Sequence, residues 1–165
     1  TLRRRADHPL AMKAKVIKRF EDEIRALERE RKQELPKEIQ RARELGDLRE
    51  NAEYQAAKER QRLVEVRISM LRTRVSEISL MNLEKLPHDR AALGSTLRLR
   101  EPKGETVVYH LVMPEDADPV KGSISTASPI GRALVGKEVG DDVTVPTPNG
   151  VREFEIIGLT TIHEA

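Results

Sequence analysis

The sequence predicts an α+β protein in two unlike parts, an N-terminal long antiparallel coiled-coil hairpin followed by a small α+β domain. Three observations carry this. From Lys13 to Leu80 the only glycine is Gly46 and the only proline Pro36, in a run of Glu, Arg, Lys, Ala, Leu and Ile that favours helix. Within that run apolar residues recur at alternating spacings of three and four. After Pro87 the texture changes to short β-rich runs separated by Gly, Pro and Asp, which read as strands and turns.

In the first segment Ile17, Phe20, Ile24 and Leu27 form the seam, which meets Arg31 and resumes as Leu35, Ile39 and Ala42. The register therefore shifts, and Pro36 at the irregularity removes a backbone donor, so a kink or local break is expected between about Arg31 and Pro36. Gly46 fits the left-handed C′ position where a helix stops. Asp47-Leu48-Arg49-Glu50 has the form of a capping box, with Asp47 opening a new helix. In that helix Tyr54, Ala57, Gln61, Val64, Ile68, Leu71, Val75 and Ile78 make the second seam. So short a connection makes the helices antiparallel. The hairpin is placed at residues 1–83 with its tip at 46–50, and the second domain at 84–165, joined by a linker from Met81 to Ala92.

In the second domain Gly94–Arg100, Thr106–Met113 and Ser123–Ser125 read as strands and Pro129–Val135 as a short helix. Asp142–Thr147 and Val151–Ile162 read as strands around the Pro148-Asn149-Gly150 turn, where Asn149-Gly150 is a hairpin signal. No internal repeat or low-complexity tract is present.

Composition excludes several classes of function. Among 165 residues there is no cysteine and no tryptophan, and 2% are aromatic, so disulfides, thiolate zinc sites and a Cys nucleophile are excluded. Phe20, Tyr54, Tyr109 and Phe154 make no stacking platform for single-stranded nucleic acid. No apolar run approaches the ~20 residues of a membrane span, and Thr1-Leu2-Arg3-Arg4-Arg5 lacks the apolar region of a secretory signal. A soluble, cytoplasmic monomer without a membrane partner is the expectation. The net charge of +2 hides a basic first half and an acidic second half, a division that suits contact between the first half and a polyanion.

The tip concentrates carboxylates, with Glu44, Asp47, Glu50 and Glu53 spaced by threes. Acidic oxygens at the end of a rigid finger suit a hard divalent cation such as Mg²⁺, and the same residues are what a capping box and the helix macrodipole require. Two carboxylates alone hold Mg²⁺ weakly, so catalysis there requires a partner that completes the site. Arg41, Arg43, Arg49, Lys58, Arg60 and Arg62 could meet RNA or DNA phosphates or be solvated helix surface laced with ion pairs. His8, His88, His110 and His163 show no ligand spacing. Walker, dinucleotide-binding and nucleophile-elbow patterns are absent.

The string Gly46-Asp47-Leu48-Arg49-Glu50-Asn51-Ala52-Glu53-Tyr54, preceded by Ala42-Arg43-Glu44, resembles the tip of the bacterial Gre transcript-cleavage factors, nearest the GreA branch. A second match lies in the other half, in the same order. Gly94-Ser95-Thr96, Asp116-Ala117-Asp118-Pro119, Lys121-Gly122, Ser128 through Leu134, Gly136-Lys137 and Thr147-Pro148-Asn149-Gly150 resemble the C-terminal domain of that family. The resemblance runs from about Leu35 to Leu159, while the first helix and N-terminal tail match poorly.

The resemblance implies a coiled coil followed by an FKBP-like domain that docks at the rim of the RNA polymerase secondary channel. The expected partners are bacterial RNA polymerase and the nascent RNA 3′ end. By resemblance Asp47 and Glu50 help hold the second catalytic Mg²⁺ and the attacking water in the polymerase active site, so that backtracked RNA is cleaved. No tightly bound cofactor belongs to the chain, which is then an activator of the polymerase's own endonucleolytic activity and not a complete enzyme. Arg43, Arg49 and Lys58 lie where the family places basic contacts to RNA or polymerase. Asn51 and Tyr54 are motif positions that orient the tip, and Ser128, Pro129 and Ile130 match the polymerase docking loop. Pro129 also suits the first helical position with Ser128 as its cap. The competing readings are a non-cleaving occupant of the same channel, a prolyl isomerase or chaperone using the second domain, and a coiled-coil adaptor.

Overall fold

The computed structural model describes residues 9–46 and 51–164. It divides into two compact units, a helical one of Lys13–Met81 and a second built from Asn82 onward. Helix α1 covers Pro9–Arg29, α2 Leu35–Arg43 and α3 Ala52–Leu80. No described helix is long and apolar enough to cross a membrane.

Between α1 and α2 the backbone stays helical but widens into a π-helical turn at Glu30–Glu34. The expected kink or break near Pro36 is thus replaced by a change of helical pitch. The Leu35 N–H donates to Glu30 O, five residues back, so the ladder is already shifted one residue before Pro36 withdraws its donor. The seam explains the insertion. Leu27 to Leu35 is one residue longer than a heptad, and the wide turn absorbs it, delivering Leu35 fully buried against Val64 and Ile68 with Ile24 and Leu27 alongside. Without that turn Leu35 would rotate about 100° out of the seam.

Cross-helix pairs fix the antiparallel register. Arg60 grips Glu30 through two hydrogen bonds of 2.7 and 2.9 Å, Arg67 grips Glu23 at 2.9 and 3.2 Å, and Arg72 reaches Glu28 at 2.8 Å. At the base Lys13 Nζ donates to the carbonyls of Ser79 and Met81 at 2.6 and 2.7 Å, placing a cation on the C-terminal end of α3 where the macrodipole favours it. α3 buries Ala57, Val64, Ile68, Leu71 and Ile78, all members of the predicted seam; Val16, also buried, was not among the expected positions.

The Arg60 guanidinium beside Glu30 and the Arg31 guanidinium beside Glu28 hold those carboxyls below the usual glutamate range. Carboxyls lowered in the folded state stabilise it at neutral pH and lose that contribution as pH falls through their lowered values. The hairpin is therefore expected to melt at a lower temperature at pH 3 than at pH 7. Thermal unfolding followed by circular dichroism, with Glu30→Gln as the less pH-sensitive control, checks this; the shift is small, because such pairs face solvent.

In the second unit strands β1 (Thr96–Arg100), β2 (Thr106–Val112), β3 (Ser123–Ser125), β4 (Asp142–Thr147) and β5 (Gly150–Thr160) form one sheet in the order β3-β2-β1-β5-β4. All neighbours are antiparallel except β2 and β3. The register of β1 on β5 shifts at Arg98/Leu99, a bulge that bends the longest strand. Helix α4 (Pro129–Leu134) supplies Leu134 to a core of Leu97, Leu99, Leu111, Val145, Phe154 and Ile156.

The β4–β5 hairpin turns at the expected Pro148-Asn149-Gly150 segment. Thr147 pairs with Gly150, so Pro148 and Asn149 are the turn's central residues. No non-glycine residue described has positive φ, while Gly150 has φ of 112°. Proline's fixed φ suits the first central position and leaves the left-handed conformation to glycine, which opens β5.

Candidate functional site

The tip is reached from α2, whose last turn buries Ala42. The helix ends at Glu44, and the Leu45 N–H donates to Ala42 O at 3.2 Å. Gly46 follows with φ of 124°, one residue later than the C′ position expected for it. A side chain there would meet no neighbouring atom, so glycine is needed for its backbone conformation and not for space.

On the other side α3 begins at Ala52, and its N-cap is Asn51, with φ of −75° and ψ of 100°. Asn51 Oδ1 accepts the Tyr54 N–H at 3.1 Å. This corrects the expectation that Asp47 caps the helix with Glu50 at its third position: the cap is four residues later. Asparagine in extended conformation is among the best residues for the position. The signal was legible in the sequence as Asn51 followed by Ala52-Glu53-Tyr54, but the alternative box upstream concealed it.

Asp47 and Glu50, together with Leu48 and Arg49, lie outside the described residues. What the structure fixes is the pair of helix ends that carry them. Asn51 Nδ2 donates to Ala42 O at 2.5 Å, joining the start of α3 to the last turn of α2. The Arg43 guanidinium lies 6.0 Å from the centre of the Tyr54 ring, a second link between the same two helices. Glu53, in the first turn of α3, is exposed and complements the helix dipole; Glu44 accepts a long 3.3 Å hydrogen bond from Gln40 Nε2.

The remaining basic side chains divide. Arg60 is engaged by Glu30, and Arg62 by Glu59 through bonds of 3.1 and 2.7 Å. Lys58 Nζ donates to Gln61 Oε1 at 2.9 Å, a neutral partner. Arg43 faces an aromatic ring, and its charge likewise has no carboxylate in that contact.

In the second unit Ser128 caps α4, with Oγ accepting the Gly131 N–H at 3.0 Å and donating to Ser125 O at 2.7 Å. Pro129 takes the first turn and is exposed, while Ile130 packs against the core. Of these three predicted docking residues, Pro129 presents the most surface. Tyr109 and Phe154 are both buried, their rings edge to face with centroids 6.4 Å apart, so they build the core and do not line an open aromatic pocket. Sequence spacing missed one pairing: the rings of His88 and His163 stack at 3.8 Å and 19°, and His163 Nε2 lies 2.7 Å from Leu86 O. Parallel stacked rings cannot converge on one metal ion. Among the described residues no group of three or more His, Asp or Glu is placed to hold one.

Comparison with known proteins gives two family models that match along the chain. One, described as transcription elongation factor, N-terminal, matches residues 11–79; the other, transcription elongation factor GreA/GreB, C-term, matches residues 86–161. The chain belongs to the GreA/GreB family of transcription elongation factors. Transcription elongation factor GreA of Desulfovibrio desulfuricans is 44% identical over 87% of this chain and 88% of its own length. That of Desulfotalea psychrophila is 39% identical over 92% and 95%. Among solved structures, GreA factor homolog 1 of Thermus thermophilus is 33% identical over 87% of this chain and 93% of its own, with a TM-score of 0.40. The N-terminal family model extends over the first helix, which the sequence motifs had matched only poorly.

Proposed function

We propose that this chain enters the secondary channel of bacterial RNA polymerase and stimulates the polymerase's cleavage of backtracked nascent RNA. The observation that carries the reading is the assignment of the α3 cap to Asn51. Starting that helix requires neither Asp47 nor Glu50, and two carboxylates at the end of a hairpin about 43 Å long are left for another task. Hard carboxylate oxygens are the donors Mg²⁺ prefers. Asp47 and Glu50 are the residues that would complete its coordination beside ligands supplied by the polymerase, and the ion when bound lowers the pKa of water and neutralises developing phosphate charge. The chain's own part is to deliver two negative charges and orient a water for in-line attack near the RNA 3′ end. Arg43 and Lys58, whose charges are not met by carboxylates in the contacts above, would face the RNA or the polymerase.

The second unit would dock at the channel rim as an FKBP-like domain, with Pro129 at its surface. In this reading the protein acts as a monomer, holds no cofactor tightly, and is not an enzyme without the polymerase. The test is to add the chain to a bacterial polymerase stalled in a backtracked complex with Mg²⁺ and to follow labelled RNA. Release of 3′ fragments and shortening of the retained transcript are expected within the time in which polymerase alone does little. Unchanged RNA, with binding to the polymerase demonstrated, would make the chain a channel occupant that does not cleave.

A further inference from the structure

Arg31 stands where the seam of the first segment calls for an apolar residue, one helical turn after Leu27, and the hairpin does not expel it. The π-helical turn at Glu30–Glu34 carries the seam past it to Leu35 and leaves Arg31 half-buried. One amino group of its guanidinium donates to Glu28 Oε2 at 2.7 Å, while its Nε is buried and has no hydrogen-bond partner. A buried donor left without an acceptor is costly and calls for one, and π-helical turns of this kind frequently lie at functional sites. Arg31 also lines a cavity of about 280 Å³ between this stretch and α3, shared with Glu28, Glu65, Ser69, Arg72 and Thr73. We propose that this cavity is a binding site for a phosphate group, held by Arg31 and Arg72 with the hydroxyls of Ser69 and Thr73.

The charges select the class of ligand. Glu28 is already engaged on both oxygens, Oε2 by Arg31 at 2.7 Å and Lys32 at 3.4 Å, and Oε1 by Arg72 at 2.8 Å. Three cations thus converge on one carboxylate, and with Glu65 counted as well the surroundings still hold more positive than negative charge. Guanidinium groups donate and cannot accept, so the unmet Nε of Arg31 needs an oxygen from outside the chain. Ser69 and Thr73, four residues apart and therefore on one face of α3, add two groups that can also donate. A phosphate offers several acceptor oxygens around one small negative centre, the geometry that guanidinium forks pair with best. A cation would be repelled by Arg31 and Arg72, and an apolar ligand would leave Nε unmet. Free phosphate and the backbone of an RNA strand carry the same chemistry, and the experiment separates them.

The full chain is titrated with inorganic phosphate, with a short oligouridylate, and with chloride at matched ionic strength, and amide NMR shifts are followed. Saturable shifts confined to residues 28–34 and 65–73 are expected with a phosphate-bearing ligand and not with chloride. Arg31→Met keeps the aliphatic stem and removes the guanidinium; it should bind roughly tenfold more weakly. Thr73→Val keeps the shape and removes one hydroxyl, with a smaller loss in the same direction; should Arg31→Met lose helicity by circular dichroism, Thr73→Val decides. Saturation by inorganic phosphate supports the site and identifies a free oxyanion as its occupant, whereas saturation by the oligouridylate alone supports the site and identifies the RNA backbone. Shifts no different from those with chloride, or an affinity unchanged in the folded variants, overturn the proposal.

Discussion

Replacing Asp47 by Asn together with Glu50 by Gln is expected to reduce stimulated RNA cleavage by roughly 100-fold or more, the scale on which loss of aimed electrostatic groups acts on catalysis. The same variant should bind polymerase with unchanged affinity and melt within about 0.5 kcal/mol of the native chain. The stability half of this expectation follows from the neck of the hairpin. Were the two residues a capping box, their loss would fray the start of α3; with Asn51 in the capping position, neither is required there. Cleavage assays, competition for polymerase binding and thermal melting on one protein preparation check all three. Loss of helicity in the double variant would return the carboxylates to a structural task.

Gly131→Ala is expected to cost the second unit at least the upper end of the ~1–3 kcal/mol that overpacking usually takes. A Cβ at Gly131 would sit 1.9 Å from Ser125 O and 2.9 Å from both Ser125 C and Thr126 Cα. These are backbone atoms of β3 and the turn after it, so no rotamer change relieves the overlap. Helix α4 would have to lift, withdrawing Leu134 from the core and breaking the Ser128 cap on Gly131 N. Native-state hydrogen exchange or denaturant unfolding should show the sheet unit destabilised while the helical unit keeps its own transition. An alanine variant as stable as the native chain would contradict this packing.

Much of this was legible in the sequence, because each unit's period is carried by its own residues. The seam in α3 follows from spacings of three and four, and the strands from β-rich runs bounded by turn residues. What the sequence left obscure has identifiable physical causes. The π-helical turn was visible only as a seam one residue too long between Leu27 and Leu35, and proline offered a competing explanation in the same place. Two cap signatures stood close together at the tip, and the conformation of Asn51 and the bond it accepts from Tyr54 N make it the cap of α3. The parallel pairing of β2 with β3 depends on a connection through residues 113–122 that has no periodic signal, and the tight seat of Gly131 depends on a neighbour across space. Asn149-Gly150 marked the hairpin, while the share of the turn taken by Pro148, Asn149 and Gly150 follows only from the pairing of Thr147 with Gly150. The stacking of His88 on His163 joins residues far apart in the chain, which spacing cannot reveal.

The most direct test of the carboxylate role is the Mg²⁺ dependence of cleavage in a backtracked complex, compared between the native chain and each single variant, Asp47→Asn and Glu50→Gln, at saturating factor. If these side chains complete the metal's coordination, each variant should require a several-fold higher Mg²⁺ concentration for half-maximal cleavage and recover part of its rate when Mg²⁺ is raised. Variants that cleave more slowly with an unchanged Mg²⁺ midpoint, or variants that cleave like the native chain, would contradict carboxylate donation by the tip.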